Sequence, residues 1–427
     1  MPTSFPPSGY IPTKSAVPGI ELYMPAPEDT GEQKVIVSFN CPRCDGTTGF
    51  SAADGGLTCS YCGYHEPPKK PVVGKGAEEF EFTVETVERA AHGWGVERTD
   101  LHCQRCGART VIPPDTLTYT CPFCGSNNVI QQKAAQDALR PRFLIPFKME
   151  SEACQKIARE WLGSSWLTPS SMRRLARIAD FVPVFIPFWT FDSWADATWR
   201  AEVGHTQSSR HYNSRTKSWT TSTKVVWKWE SGSVRHFFDD MVISGSTRLS
   251  EKLLAQIQQF DLNDLLEYEP KFLAGQHAQA YDLPLDAAWE TSRHNMRETI
   301  RQKCRSQAST SKIRNFSMSL DFSGETWRYI LLPVYIAIYH YQAKSYQVMI
   351  NGQNGEISGQ RPADWVKIGL VMLAMMSPAI LAALAGIILI LLGQEGFIFL
   401  LGALVLGSVG IAFSLVLFRK AQELDDV

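Results

Sequence analysis

No apolar run stands near the amino terminus, where "MPTSFPPSGYIPTKSAVPG" is Pro-rich and irregular, so a cleaved signal peptide is not expected. No GxxxxGK(S/T) phosphate loop, no HExxH pair and no Ser or Cys nucleophile pattern occurs in the 427 residues. ATP-driven motors, zincin-type hydrolysis and acyl transfer each need one of these, and an enzyme is not expected. An excess of charge of either sign is also missing: 42 Lys and Arg face 43 Asp and Glu, a formal net charge of -1.

Apolar residues make up 44% of the chain and are unevenly spread. From Ile368 to Leu392 there is no charged side chain, and after "GQEG" a second uncharged run extends from Phe397 to Phe418. A helix of about 20 apolar residues crosses a hydrocarbon core, so both runs are long enough to span. A buried core hairpin is the alternative, disfavoured because globular helices seldom stay apolar for so long. The expected spans cover 366–392 and 396–418, with 419–427 as a tail. Arg361 and Lys367 precede the first run, Arg419 and Lys420 follow the second, and the turn between them carries only Glu395. Positive flanks stay on the cytoplasmic side, which predicts a cell (inner) membrane hairpin with both termini and the soluble parts in the cytoplasm.

The cysteines carry the clearest motif. "CPRCDGTTGFSAADGGLTCSYCG" begins at Cys41 and "CQRCGARTVIPPDTLTYTCPFCG" at Cys103, and both read Cys-x2-Cys, fourteen residues, Cys-x2-Cys. Four thiolates from two knuckles satisfy tetrahedral zinc at a Zn–S distance of about 2.3 Å. Cys41, Cys44, Cys59 and Cys62 would hold one ion, and Cys103, Cys106, Cys121 and Cys124 a second. A redox dithiol usually occurs singly, whereas matched pairs recur here twice; in a reducing compartment such pairs remain available to metal. With every ligand place filled, both sites are structural rather than catalytic. Gly46, Gly63, Gly107 and Gly125 follow the knuckles and permit the tight turns, while "TVIPPDTLTYT" reads as a hairpin bending at Pro113 and Pro114. Cys154 and Cys304 lie on apolar helical stripes and read as packing residues rather than reactive thiols.

The boundaries that follow are an irregular segment at 1–35, ribbon 1 at 36–66, a linker with a short strand at 67–98, ribbon 2 at 99–132 and a middle domain at 140–362. Within that domain "RFLIPFK", "VPVFIPFWTFD" and "YILLPVYIAIYHY" are apolar runs broken by Pro146, Pro187 and Pro333, and read as bent strands of an antiparallel sheet. Helices are expected at 151–162, over "TPSSMRRLARIA", at 248–259 and at 285–306, and strands turning at 343–345 and at "NGQNG". The fold class is α+β: two small four-cysteine zinc ribbons, a mixed middle domain and a two-helix transmembrane hairpin.

Polar clusters in the middle domain are ambiguous. "RHYNSRTKSWTTSTKVVWKW" mixes Arg210, Arg215, Lys217, Lys224 and Lys228 with Tyr212, Trp219, Trp227 and Trp229, a mixture that can stack on and neutralise a single strand. Lys224, Val226 and Lys228 alternate with Val225, Trp227 and Trp229, however, and a half-buried hairpin is the better reading. Bound thiolates and zinc would take the net charge from -1 to -5, which opposes nonspecific phosphate binding and makes nucleic acid an unexpected partner. His236 beside Asp239 and Asp240 resembles a base with carboxylates, but surface turn carboxylates are the simpler reading. Arg173, Arg174 and Arg177 fit a solvated helix face, with lipid headgroup contact as the alternative.

The order of two CxxC ribbons, "LIPFK", "WLTPSSMRRLARI", "FIPFWTFD", "FFDDMVIS", "YILLPVY", "YQVMINGQNGEISGQRP" and two terminal spans resembles a bacterial family of membrane-anchored zinc-ribbon proteins. These are often labelled primosomal protein N'-like or replication factor Y-like. The resemblance covers roughly residues 35 to 420; Asp45 departs from it, standing where the first knuckle usually has Gly, and the first 30 residues lie outside it. It implies an accessory of membrane-stress systems with phage-shock-protein-A-like and flotillin-like partners. The expected function is a zinc-ribbon adaptor that docks cytoplasmic proteins at the bilayer; the alternative is a membrane-tethered nucleic-acid-binding protein linked to replication.

Overall fold

The computed structural model describes residues 10–13, 22–25, 40–52, 55–66, 72–83, 86, 90, 92, 99–112, 121–124, 126, 129–133, 139–169, 171–172, 181–215, 217–274, 276–342 and 344–425. Two units divide the chain, Met1–Ser38 and Phe39–Val427. In the first, β1 (Tyr10–Thr13) pairs antiparallel with β2 (Leu22–Pro25), so the segment read as irregular contains a short ribbon.

The second unit opens with β3 (Thr48–Ser51), β4 (Gly56–Cys59) and β5 (His65–Glu66), an antiparallel sheet of its own. There follow β6 (Phe80–Glu81), β7 (Thr99–Cys103), β8 (Arg109–Ile112), β9 (Val129–Lys133), β10 (Phe143–Leu144) and helix α1 (Ser151–Ser164). Three long strands dominate the rest: β11 (Val182–Asn213), β12 (Ser218–Ser244) and, after α2 (Glu251–Ile257), β13 (Leu266–Glu267), β14 (His277–Gln279) and α3 (Leu285–Ser306), β15 (Ile313–Tyr341). The chain ends with β16 (Lys344–Asn351), β17 (Ile357–Gly359) and two apolar helices, α4 (Trp365–Leu391) and α5 (Phe397–Asp425).

One large sheet runs β13-β10-β15-β11-β14-β8-β7-β9, with β12 added to β11, and β6 and β16 added to β15. It is mainly antiparallel, although β10 joins β15 and β14 joins β11 in parallel, so "RFLIPFK" departs from the all-antiparallel expectation. The prolines sit where β11 and β15 exchange neighbours. Pro187 falls between the rows that β11 shares with β14, at Val184 and Phe185, and those it shares with β12, from Phe188 onward. Pro333 likewise lies between the rows given to β10 and those given to β16. No outer donor is required there, and each proline carbonyl accepts an amide from a close-packed glycine: Gly245 N–H donates to Pro187 O and Gly352 N–H to Pro333 O, both at 2.8 Å.

Alternation along the strands gives the sheet two cores. Phe185, Trp189 and Phe191 face α1 and α3 in one, while Val184, Ile186 and Phe188 face α2 in the other. Helix α3 spans the expected residues and buries Leu285, Trp289, Met296, Ile300 and Cys304 as one stripe. Cys154 and Cys304 are buried as read from their stripes, and burial pushes the Cys154 thiol up to about 12. The expected helix over "TPSSMRRLARIA", with its three arginines, lies outside the described residues apart from its first turn.

Beyond the body, β11 and β12 continue as a hairpin paired row by row to Asn213 and Ser218. Helix α3 covers one face as far as Gln307, which accepts from Trp199 Nε1 at 2.7 Å; from Thr206 outward both faces are exposed. The hairpin is thus less buried than its alternation implied, because no layer among the described residues reaches its last rows. The membrane-length helices leave from the other end of the sheet. Lys344 and Tyr346, at the start of β16, bind Asp425 of α5 at 3.1 and 2.8 Å. About 36 strand rows, up to roughly 120 Å measured along the strands, lie between that end and the hairpin tip.

Candidate metal centres and their setting

Each cysteine quartet assembles as the spacing predicts. The ligand atoms of Cys41, Cys44, Cys59 and Cys62 lie within 4.8 Å of one another, and so do those of Cys103, Cys106, Cys121 and Cys124. In the first quartet Cys41 and Cys62 sulfurs are 3.5 Å apart and Cys44 and Cys59 sulfurs 3.6 Å; in the second the corresponding separations are 3.5 and 3.7 Å. A tetrahedron of thiolates around an ion with bonds of about 2.3 Å has edges of about 3.8 Å, so both quartets fit one four-coordinate metal ion each. All four corners are protein sulfur.

The knuckles explain why the sulfurs converge. Asp45, Gly63 and Gly107 take left-handed conformations at φ 59°, 69° and 73°, and their amides donate to the carbonyls of Cys41, Cys59 and Cys103. Asp45 occupies the glycine conformation without being glycine: its carboxylate accepts from Asn40 Nδ2 at 3.1 Å, the local bond that lets Asp tolerate this region. Amides also point at sulfur. The Cys62 amide and then that of Tyr61 hold the Cys59 thiol down to about 7, and those of Cys106 and Arg105 hold Cys103 at about 7 against the opposing effect of burial. Gly125 and the predicted bend at Pro113 and Pro114 lie outside the described residues.

The surroundings of the quartets differ. Ribbon 1 meets the body through Phe50, whose ring lies 5.8 Å from that of Phe272 and whose amide donates to Ala274 O. Tyr61, in its second knuckle, is 76% exposed. In ribbon 2, β7 and β8 extend the large sheet through β14, and Cys103, Ala108, Cys121 and Phe123 belong to the same apolar core as Val184, Ile186 and Leu253.

Residues Gly74–Glu81, between the ribbons, are pinned to the base of the hairpin by a charged cluster that sequence patterning does not reveal. Arg328, 1% exposed, donates to Asp240 and to the carbonyls of Lys75 and Ala77, and lies 3.2 Å from Glu79. Asp240 N–H donates to Asp192 Oδ1 at 2.7 Å across a bulge in β12, where Asp239 and Asp240 oppose the single residue Asp192, and Thr326 donates to Glu79 at 2.6 Å. Burial, and next the adjacent Glu79 carboxyl, push Asp192 up to about 7. Asp239 is a surface carboxylate as expected, paired with Lys75 at 3.2 Å, but Asp240 is not: the bulge turns it inward at φ 54° and its side chain is 5% exposed. His236 instead meets Phe238 edge-on at 4.7 Å, so histidine and carboxylates do not converge. The only available signal is that Asp192 and Arg328 stand inside apolar strand runs, where a charge demands a partner.

The apolar helices pack as a hairpin through small residues. Gly386 approaches Gly396 O and Leu400 so closely that a Cβ would lie 3.0 Å from each, and Gly410 faces Met376. Both helices are long and apolar enough to cross a membrane. Helix α5 continues past Phe418 to Asp425, so the residues read as a tail form its last turns; Ala421 packs with Leu167, Ala363 and Ile368, and Leu424 O accepts from Arg361 N–H. The cations before the first span are engaged by the body. Arg361 lies 3.6 Å from the Trp161 ring centre, and Lys367 donates to Thr168 O at 3.0 Å.

No family model matches the chain, and no solved structure matches it. A protein of Bacillus subtilis (strain 168), described as "Uncharacterized protein YdjG", is 22% identical over 339 residues, covering 78% of this chain and 92% of that protein.

Proposed function

We propose that this chain is a membrane-anchored zinc-ribbon adaptor that docks protein partners at the cytoplasmic face of a membrane. The observation that supports it most is the pairing of two closed four-cysteine centres with a C-terminal pair of membrane-length helices on one chain. Zinc is the ion that suits all-thiolate tetrahedra, and with four protein ligands it stabilises the fold rather than activating water. The helices insert as a hairpin whose short turn at Glu395 faces outward. Ribbon 1, with Tyr61 exposed beside its ligands, is the docking surface of this reading, and the resemblance to membrane-stress accessories names phage-shock-protein-A-like and flotillin-like proteins as the partners to look for.

Crosslinking in native membranes followed by mass spectrometry tests the proposal, comparing the full chain with a Tyr61→Asp variant. The expected result is a protein partner retained at the membrane by the full chain and lost with the variant, while the hairpin still inserts. ATP turnover stimulated by single-stranded DNA would instead favour the replication-linked alternative and overturn the adaptor reading.

A further inference from the structure

The near-zero net charge conceals a strong asymmetry. Residues 200–235, the outer rows of the hairpin, and 307–317 beside them carry nine Lys and Arg against two Glu, leaving -8 for the rest of a chain whose total is -1. Both glutamates are already engaged, Glu202 by Arg314 and Glu230 by His205 and Ser309. The objection to polyanion binding drawn from the whole-chain charge therefore does not apply to this element.

Aromatic rings share the basic rows. On the face turned away from α3, Arg200 lies 4.3 Å from the Trp229 ring centre and Arg314 lies 4.2 Å from that of Trp227. Gly204, opposite Trp227, makes room for it: a Cβ there would come within 3.1 Å of the indole. Farther out Tyr212 and Trp219 meet at 5.3 Å, and Trp219 is 66% exposed. Such rings ordinarily enter hairpins to be buried by a second layer, and among the described residues these have none. Between Arg200 and the body the same face is floored by hydroxyls, with Thr198 flanked by Ser233 on one strand and Ser319 on the other. Asp196 and Asp321 close the strip at its body end.

We propose that this strip is a binding surface for single-stranded RNA, an activity beyond the adaptor role and independent of it. From Thr198 to Asn213 it extends for up to about 50 Å along the strand. Cations in register with ring faces suit a flexible polyanion that carries a planar group at each repeat: phosphates meet Arg and Lys, and bases stack on indole, phenol or guanidinium planes. A bilayer would call for apolar side chains gathered at the tip, and a folded acidic protein has no use for a series of stacking faces. The hydroxyl floor selects RNA, since Ser and Thr can both donate to and accept from a ribose 2'-OH.

The test is fluorescence anisotropy of a labelled oligouridine of about 12 nucleotides with the full-length protein in phosphatidylcholine nanodiscs. Binding should weaken roughly 50- to 300-fold between 50 and 200 mM salt, as expected when about four to six phosphates are neutralised. Trp219→Ala and Trp229→Ala should each weaken it about tenfold, with thermal unfolding unchanged because both side chains are exposed. Arg210→Glu with Lys312→Glu, both on the ring-bearing face, should weaken binding and flatten the salt dependence. The proposal is overturned by the absence of an anisotropy change at 50 mM salt, by equal affinity in the tryptophan variants, or by equal or tighter binding of the matching DNA oligomer or of duplex RNA. Binding of phosphatidylglycerol vesicles that the same variants abolish, without RNA binding, would also overturn it.

Discussion

Ribbon 1 closes its cysteine quartet with a three-stranded sheet of its own and meets the body through Phe50 and Ala52, which pack on its core, whereas ribbon 2 lends its strands to the central sheet and two of its cysteines to the core. The ligand spacing is the same in both, and so are the sulfur separations. What differs is the fate of the intervening strand: β8 of ribbon 2 is paired by β14 of the body, while β3 of ribbon 1 has no neighbour outside its own sheet among the described residues. The same four-cysteine arrangement is therefore set in a small sheet of its own in one place and in the central sheet in the other.

The largest predicted effect follows from this difference. Metal and folding energies are one quantity in so small a unit, and structural zinc contributes on the order of 10 kcal/mol in isolated ribbons. Cys121→Ser should propagate through the shared core and unfold the body, whose total stability is of the same order. Cys44→Ser should reduce the metal content equally, from two equivalents to one, yet leave the main thermal transition within a few degrees of the parent. Elemental analysis and thermal unfolding of the same preparations read both quantities; equal shifts for the two variants would break the comparison.

Legibility in the sequence divides along the same line. The quartets are fully readable because ligand type and spacing are local constraints, and the membrane-length helices because their composition is extreme. Helix α3 is readable because its stripe from Leu285 to Cys304 is sustained through nearly the whole of a 22-residue helix. The union of ribbon 2 with the sheet is not, since a strand as short as β8 does not specify its partner and sheet neighbours are chosen by distant residues. The inward turn of Asp240 is hidden for a related reason: a bulge shifts register by one residue and reverses the face that a side chain takes.

The clamp at Arg328 sharpens the comparison further, because it ties the segment between the ribbons to the body. Arg328→Met would leave Asp240 and Glu79 without their buried cation, at a cost of about 3–5 kcal/mol. Denaturant unfolding should show that loss in the body transition, while both metal equivalents remain bound. Loss of the ribbon 1 metal in this variant would mean that the ribbon depends on the body more than its packing around Phe50 and Ala52 implies.

The smallest effect concerns protons in the same clamp. Asp192 is raised to about 7 from an ordinary carboxylate value near 4, with burial as the first cause and the Glu79 carboxyl as the second. The folded state therefore holds a proton that the unfolded chain has released across roughly pH 4 to 7, and linkage makes that contribution greatest at the acid end and progressively lost as pH rises through the folded value. Asp192→Asn keeps an oxygen for the Asp240 amide but removes the titrating group, so its unfolding free energy should fall less between pH 5 and pH 8 than that of the parent. Ribbon 1 carries no part of this cluster, and its chelator-induced metal release, measured at the same two pH values, should change equally in parent and variant. A difference in the rate of that release confined to the Asp192→Asn variant would show that the clamp governs ribbon 1, and would make the apparent independence of the first module a property of the charge state at its tether.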